Sequence, residues 1–150
     1  MNEEEMHNDF IIRIATVVDL SALVKVNGKL FDHKIKPHRA KEFLEDPRHH
    51  MLIAYDNGKV VGMISAVHYV HPDKDPQLFI NELGVVEEFQ NQGLGRELVR
   101  HMCEHGKNLG CTEAWVATAA SNEAAIKAYT AAGGIEGSEG TILFEFNNDL

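Results

Sequence analysis

The stretch from Glu82 to Arg96, ELGVVEEFQNQGLGR, joins an apolar, β-rich run to an amphipathic helix through a loop holding Gly93 and Gly95. The start of a helix presents backbone N–H groups without intrahelical partners, together with the positive end of the helix dipole, and so favours an anion. Two glycines let a phosphate approach the main chain closely. The spacing excludes two familiar phosphate sites. The third glycine of a dinucleotide fingerprint is missing, and no Lys-Ser/Thr pair follows as a P-loop requires. What remains is a helix-start site suited to a diphosphate. A glycine pair before a helix also serves ordinary turns, so the reading depends on the elements around it.

Those elements alternate between strand and helix. Residues 10–16 are apolar and β-rich and predict a first strand. Leu20, Leu23, Val24 and Leu30 fall at helical spacing after Asp19, predicting a helix over about 19–31 that Gly28 weakens. Pro37 can open a short helix carrying Ala40, Phe43 and Leu44 and ending before Pro47. Strands at 51–56 and 59–70 flank Asp56-Asn57-Gly58, a strong hairpin turn. A loop with two prolines (71–77) leads to a strand at 78–86. A helix runs from Gly93 to about Leu109, with Leu94, Leu98, Met102 and Leu109 on one face. There follow a strand at 113–119, a helix from Glu123 to Ala132 ended by Gly133-Gly134, and a closing strand at 141–146. The order implies one α/β domain whose sheet is antiparallel first and then joined by crossover helices.

Charge and composition narrow the function classes. The chain has 150 residues and a formal net charge of −9. A nucleic-acid binder clusters Lys and Arg to neutralise phosphates, so this chain is a poor candidate. The acidity suits a cationic substrate, and equally serves solubility alone. No apolar run approaches the ~20 residues of a membrane span. Met1 to Asp9 is polar and acidic, lacks the basic start and apolar stretch of a signal peptide, and is expected to be disordered. Two cysteines, Cys103 and Cys111, are too few for a disulfide framework. The expectation is a cytoplasmic protein without membrane or nucleic-acid partners.

Two motifs resemble one family. Gln90-x-x-Gly93-x-Gly95 resembles the acetyl-CoA pyrophosphate loop of the GNAT superfamily of N-acetyltransferases, written Arg/Gln-x-x-Gly-x-Gly/Ala. Leu83-Gly84-Val85 looks like its bulged strand, which pairs with pantetheine. Asn122-x-x-Ala125-x-x-x-Tyr129 is similar to its late helix, where Asn bonds the cofactor and Tyr sits near the sulfur. Where the family often has an aromatic after the helix-ending glycine, this chain has Gly134 and then Ile135. The resemblance implies a single GNAT domain: a mixed, mostly antiparallel sheet flanked by helices and splayed at a bulged fourth strand. It implies acetyl-CoA as acetyl donor, without a metal. The cofactor would be bound by Leu83, Gly84, Val85, Gln90, Asn91, Gln92, Gly93, Leu94, Gly95, Arg96, Asn122 and Tyr129. It also implies a homodimer.

Within the superfamily, the type I aminoglycoside 3-N-acetyltransferases are the subgroup resembled. LFDHK (30–34), VVGMISAVHYVHP (60–72), ELGVV (82–86) and Tyr129-Thr130 are similar to that group in type and order. That group carries carboxylates after the fifth strand, where this chain has Thr118-Ala119-Ala120-Ser121. The implied acceptor is a primary amine of a cationic small molecule, with the aminoglycoside 3-N position as the specific case. A protein or peptide N-acetyltransferase is the alternative, and a non-catalytic acyl-CoA-binding module is a third reading.

The chemistry assigns roles. An amine must lose a proton before it attacks a thioester, and a nearby carboxylate can take that proton. Glu82, before the bulge, is the candidate base, or else a substrate anchor or a solvent-facing strand residue. N–H groups around Leu83 to Val85 suit the oxyanion. Tyr129 can protonate the departing thiolate, or else is a core tyrosine. His101-Met102-Cys103-Glu104-His105 spells an inverted zinc-protease motif, but the helix already buries its Leu94, Leu98 and Met102 stripe. Cys103 is expected to be a small buried hydrophobe and Trp115 a core residue. His49, His50, His68 and His71 are candidates for the acceptor site or ordinary exposed histidines.

Overall fold

Asn57 and Gly58 both take left-handed backbone conformations, at φ 46° and 75°. A two-residue hairpin whose twist matches its strands needs that pair. Strand β2 (His49–Asp56) therefore folds directly back on β3 (Lys59–Tyr69). Around this hairpin, β1 (Ile11–Ile14) pairs antiparallel with β2, and β4 (Gln77–Val85) pairs antiparallel with β3. The last strand, β5 (Glu113–Val116), joins β4 in parallel, giving the order β1-β2-β3-β4-β5. The computed structural model describes residues 10–26, 29–137 and 140–147. The expectation for residues 1–9 lies outside them.

The sheet buries both faces of its centre. On one face, helix α3 (Leu94–Asn108) sends Leu94, Leu98, Val99 and Met102 against Leu52, Ile64, Ala66 and Leu78. On the other, α1 (Leu20–Val24) and α2 (Pro37–Glu45) cover Met51 and Ile53. Pro37 opens α2 as the sequence predicts. Helix α4 (Glu123–Ala131) follows β5, and Gly133, at φ 101°, closes it. No described helix is long and apolar enough to cross a membrane. The expected single α/β domain with a mixed, mostly antiparallel sheet is the observed one.

Five expectations are corrected. The helix expected over 19–31 is only α1, preceded by a 3-10 turn at Val17–Asp19. Val24 and Val26 are poor helix formers, and Leu30 leaves helical register to pack beside Gly84. Residues 27 and 28 lie outside the described residues. Strand β5 stops at Val116 rather than 119, because its partner β4 turns away there. Residues 141–146 form no strand: their β propensity finds no ladder partner, and Ile142, Leu143, Phe144 and Phe146 are exposed. Cys103 and Trp115 are exposed rather than core. Cys103 follows Met102 by one helical step and so leaves the buried stripe. Trp115 sits on the edge strand, stacked near Phe79 and donating its indole N–H to the Tyr69 hydroxyl at 2.7 Å.

Candidate active site

The site begins where the sheet splits. β4 and β5 pair only from Gln77–Ile80 to Glu113–Val116. Along β3, Ala66 pairs with Ile80 but Ser65 pairs with Glu82, so Asn81 is an extra residue in β4, and the bulge precedes Glu82 instead of following it at Leu83-Gly84-Val85 as the sequence predicts. Such a bulge bends a strand and increases its twist. Beyond it, Glu82 to Val85 stay with β3 while β5 has ended. The gap between this end of β4 and helix α4 is a cavity of about 430 Å³. Leu83, Gly84, Val85, Gln90, Asn91, Gly93, Gly95, Arg96 and Asn122 line it, as the sequence brings them together.

The loop at its floor is held open by side chains and glycines. Gln90 donates from Nε2 to the Val85 carbonyl at 2.9 Å, and Gln92 from Nε2 to the Glu88 carbonyl at 3.1 Å. Asn91 and Gly93 are left-handed, at φ 61° and 82°. No side chain caps Gly93, and the Glu97 N–H is the first to bond back, to the Gly93 carbonyl at 3.0 Å. The N–H groups of Leu94, Gly95 and Arg96 therefore lack helical partners at the cavity floor. The Leu94 side chain is core, so only its backbone can serve a ligand. Gln92 is not on the cavity wall; its amide braces the loop instead. A Cβ on Gly84 would lie 2.2 Å from the Leu30 carbonyl oxygen, so only glycine lets the 29–36 loop close over this strand. Asn122 caps α4 by accepting the Ala125 N–H at 3.2 Å, which leaves its amide N–H groups for a ligand. Tyr129 is half-buried against the core and lines neither cavity, and burial raises its phenol pKa. Its hydroxyl makes no hydrogen bond among the described residues.

A second cavity, about 370 Å³, lies between the sheet and α2, with Glu82, Ser65, Met51 and Phe43 in its wall. Phe31 and Asp32 line both cavities, so they meet across the 29–36 loop. Burial raises the Glu82 pKa, and the charge of Asp32 adds to the rise; the Asp32 backbone N–H and His33 pull the other way without reversing it. A half-buried carboxylate whose proton affinity is raised, in a cavity wall beside Asp32, can bind a cation and accept its proton.

Two polar clusters escaped the sequence reading. His50 is buried, its Nε2 2.7 Å from His68 Nδ1 and its Nδ1 3.1 Å from His105 Nε2. Burial first, then the neighbouring histidines, push His50 down to about 4. Counting pairs back from the hairpin turn could have found this chain, but the register shifts by one at Ala54/Tyr55. His49 packs its ring on Phe43, and His71 meets Gln77, so none of the four candidate histidines lines the second cavity. Buried Asp19 accepts from Tyr55 at 2.7 Å, from Arg13 at 3.0 Å and from the Thr16 N–H at 2.8 Å. Burial raises its pKa, but these hydrogen bonds outweigh that and the net shift is down. The inverted protease motif splits: His101 donates to the Glu97 carbonyl at 2.7 Å while His105 joins the histidine chain. Among the described residues, no group of three or more His, Cys, Asp or Glu is arranged to hold a metal ion.

Known proteins share the family and the fold. The model of the acetyltransferase (GNAT) family matches residues 20–133. A curated relative, N-alpha-acetyltransferase 30 of Schizosaccharomyces pombe, is 30% identical over 77 residues, covering 51% of each chain. The chain thus spans about half the length of that relative. Among solved structures, an aminoglycoside acetyltransferase from an uncultured soil metagenomic sample, in complex with sisomicin, superposes with a TM-score of 0.81. It is 18% identical over 94% of this chain and 97% of its own. The aminoglycoside N-acetyltransferase AAC(6′)-Iy in complex with CoA gives a TM-score of 0.75 at 23% identity, covering 92% and 95%. At such identities the structures share the fold.

Proposed function

The chain belongs to the acetyltransferase (GNAT) family, and from that premise we propose that it is an acetyl-CoA-dependent N-acetyltransferase that acetylates a primary amine by direct attack in a ternary complex. The observation that carries this is the meeting of two cavities at Phe31 and Asp32, beside Glu82. The helix-start cavity takes the donor, with its diphosphate on the free N–H groups at the start of α3 and its pantetheine arm along Leu83 to Val85. The amine enters the other cavity as an ammonium ion and meets Glu82 and Asp32. Glu82 takes its proton, directly or through water, and the freed lone pair attacks the thioester carbonyl. Backbone N–H groups near Leu83 to Val85 stabilise the oxyanion. As the C–S bond breaks, Tyr129, packed behind the donor cavity wall, gives its proton to the thiolate, directly or through water, and the second proton lost by the attacking nitrogen passes through water to restore the phenol, whose raised pKa keeps it protonated at neutral pH.

Two acceptor classes fall within this reading. The resemblance in the sequence points to the 3-N amine of an aminoglycoside, and antibiotic resistance would follow from it. The solved relative AAC(6′)-Iy is named for a different position. A peptide or protein N-terminus is the second class, supported by the partial match to an N-alpha-acetyltransferase. A cytoplasmic setting belongs to the same reading, supported by the free thiols of Cys103 and Cys111. So does a homodimer, supported by the exposed apolar residues of 141–146. Thiol release from acetyl-CoA, measured across a panel of amines, tests the activity. Intersecting initial-rate lines are expected. Parallel lines would indicate a covalent acetyl-enzyme, and no release with any amine would leave only a binding module.

A further inference from the structure

The acceptor cavity does not share the acidity of the chain. Glu82 lines it and Asp32 lines both it and the donor cavity, whereas Lys34, Lys36 and Arg39 also line it, from the loop before α2 and the first turns of that helix. In a protein of net charge −9, three cations on one cavity wall are a local reversal of sign. Arg39 shares its charge with Glu42 at 3.2 Å, and Glu45 is taken by Lys41. Lys34 and Lys36 form no ion pair among the described residues. The donor does not need them, because its cavity has cations of its own in Lys29, Arg96 and Lys127. Much of the remaining wall is apolar, with Phe31, Phe43, Leu44 and Met51.

We propose that this cavity selects an amphoteric acceptor: a primary amine held at Glu82 and Asp32, an apolar body, and a carboxylate facing Lys34 and Lys36. The proposal rests on the transferase reading above and narrows its substrate. Charges at a cavity mouth act within the ~8 Å screening length of physiological salt, so the lysines attract a carboxylate and repel a second ammonium group. A polycationic amino sugar meets three cations on the wall it must cross. An amino acid with a spaced carboxylate, or a short apolar peptide with a free C-terminus, meets charges of the right sign at both ends.

The test compares acceptors that differ only in charge. Thiol release would be measured with aminocaproate, its amide, hexamethylenediamine, an apolar dipeptide, its C-terminal amide, and an aminoglycoside. A free carboxylate should raise kcat/KM about tenfold or more over the matching amide, chiefly through KM. The double variant Lys34→Glu/Lys36→Glu should abolish that advantage and favour the diamine, with acetyl-CoA affinity unchanged by calorimetry. Lys36→Arg should retain the wild-type preference. Both lysines are exposed, so folding should survive. Equal use of acid and amide, or a diamine or aminoglycoside preferred by the wild type, would overturn the proposal while leaving the transferase intact. Acetyl-CoA bound but no thiol released with any amine would instead overturn the transferase reading, and this proposal with it.

Discussion

At the scale of single residues, Glu82 carries the most consequence. Its pKa is raised, so the folded protein holds its proton more tightly than the unfolded chain does. By linkage, a carboxylate raised in the folded state costs stability once pH exceeds its unfolded value, and the cost is complete above its folded value. Glu82→Gln removes that cost together with the base. The variant should melt no lower than wild type at pH 7, keep acetyl-CoA affinity, and lose roughly 10²-fold in kcat/KM. The acidic limb of the pH–rate profile, set by this carboxyl in wild type, should vanish. A variant with an unchanged pH–rate profile would place the base elsewhere. Local chain position made part of this legible: Gly93 caps α3 as its place before the helix predicts, and Glu82 falls beside the bulge, though one step after it where the sequence predicts it before. Asp19 was not legible, since its partners Arg13 and Tyr55 reach it from two strands and only the folded chain brings them together.

At the scale of elements, the start of α3 and the histidine chain at its far end make opposite demands. Gly93 is left-handed, which a β-branched side chain resists, and its Cβ would project where the phosphate approaches. Gly93→Val should weaken acetyl-CoA binding at least tenfold, or about 1.4 kcal/mol, by calorimetry on the folded variant. Unchanged affinity would show that the diphosphate lies elsewhere. At the other end, His50, His68 and His105 tie β2, β3 and α3 together, with one N–H in each shared pair of nitrogens. His49 and Asp46 also bear on His50, the first lowering and the second raising its pKa, both by less than burial does. A base whose pKa is depressed on folding binds protons better unfolded, so its stability is complete above the ordinary histidine value and is lost as pH falls from 6.5 towards about 4. The loss should approach ~3 kcal/mol across that window, read from urea unfolding at several pH values. His50→Asn should flatten that slope; an equally steep slope would show that other groups drive it. The glycine loop was legible because its backbone conformation is written in residue type. The histidine chain was not, because a one-residue register slip in the hairpin sets which side chains share a face.

At the scale of the whole molecule, the two ends of the fold differ in how completely the sequence determines them. The hairpin, the bulged β4 and α3 follow from local signals that agree with the core they bury. The region after α4 shows no such agreement. TILFEF has the alternation and composition of a strand, yet it lies unpaired, with Ile142, Phe144 and Phe146 each more than 70% exposed. Nearby chemistry offers one template, because β5 pairs with β4 on one side only and its Trp115 is 47% exposed. An unpaired edge strand and an unpaired apolar segment invite each other. Burying a large side chain gives about 1.5–3 kcal/mol, enough over several residues to offset the entropy of association. The expectation is therefore a dimer at micromolar concentration by sedimentation velocity, with Phe144→Ser/Phe146→Ser shifting it to monomer. Because the donor cavity is built from β4, α3 and α4 of one chain, the monomeric variant should still bind acetyl-CoA. A wild-type protein that stays monomeric as concentration rises would count against the dimer. The apolar segment would then have to be covered within its own chain, with hydrogen exchange at 141–146 as slow as in the core strands.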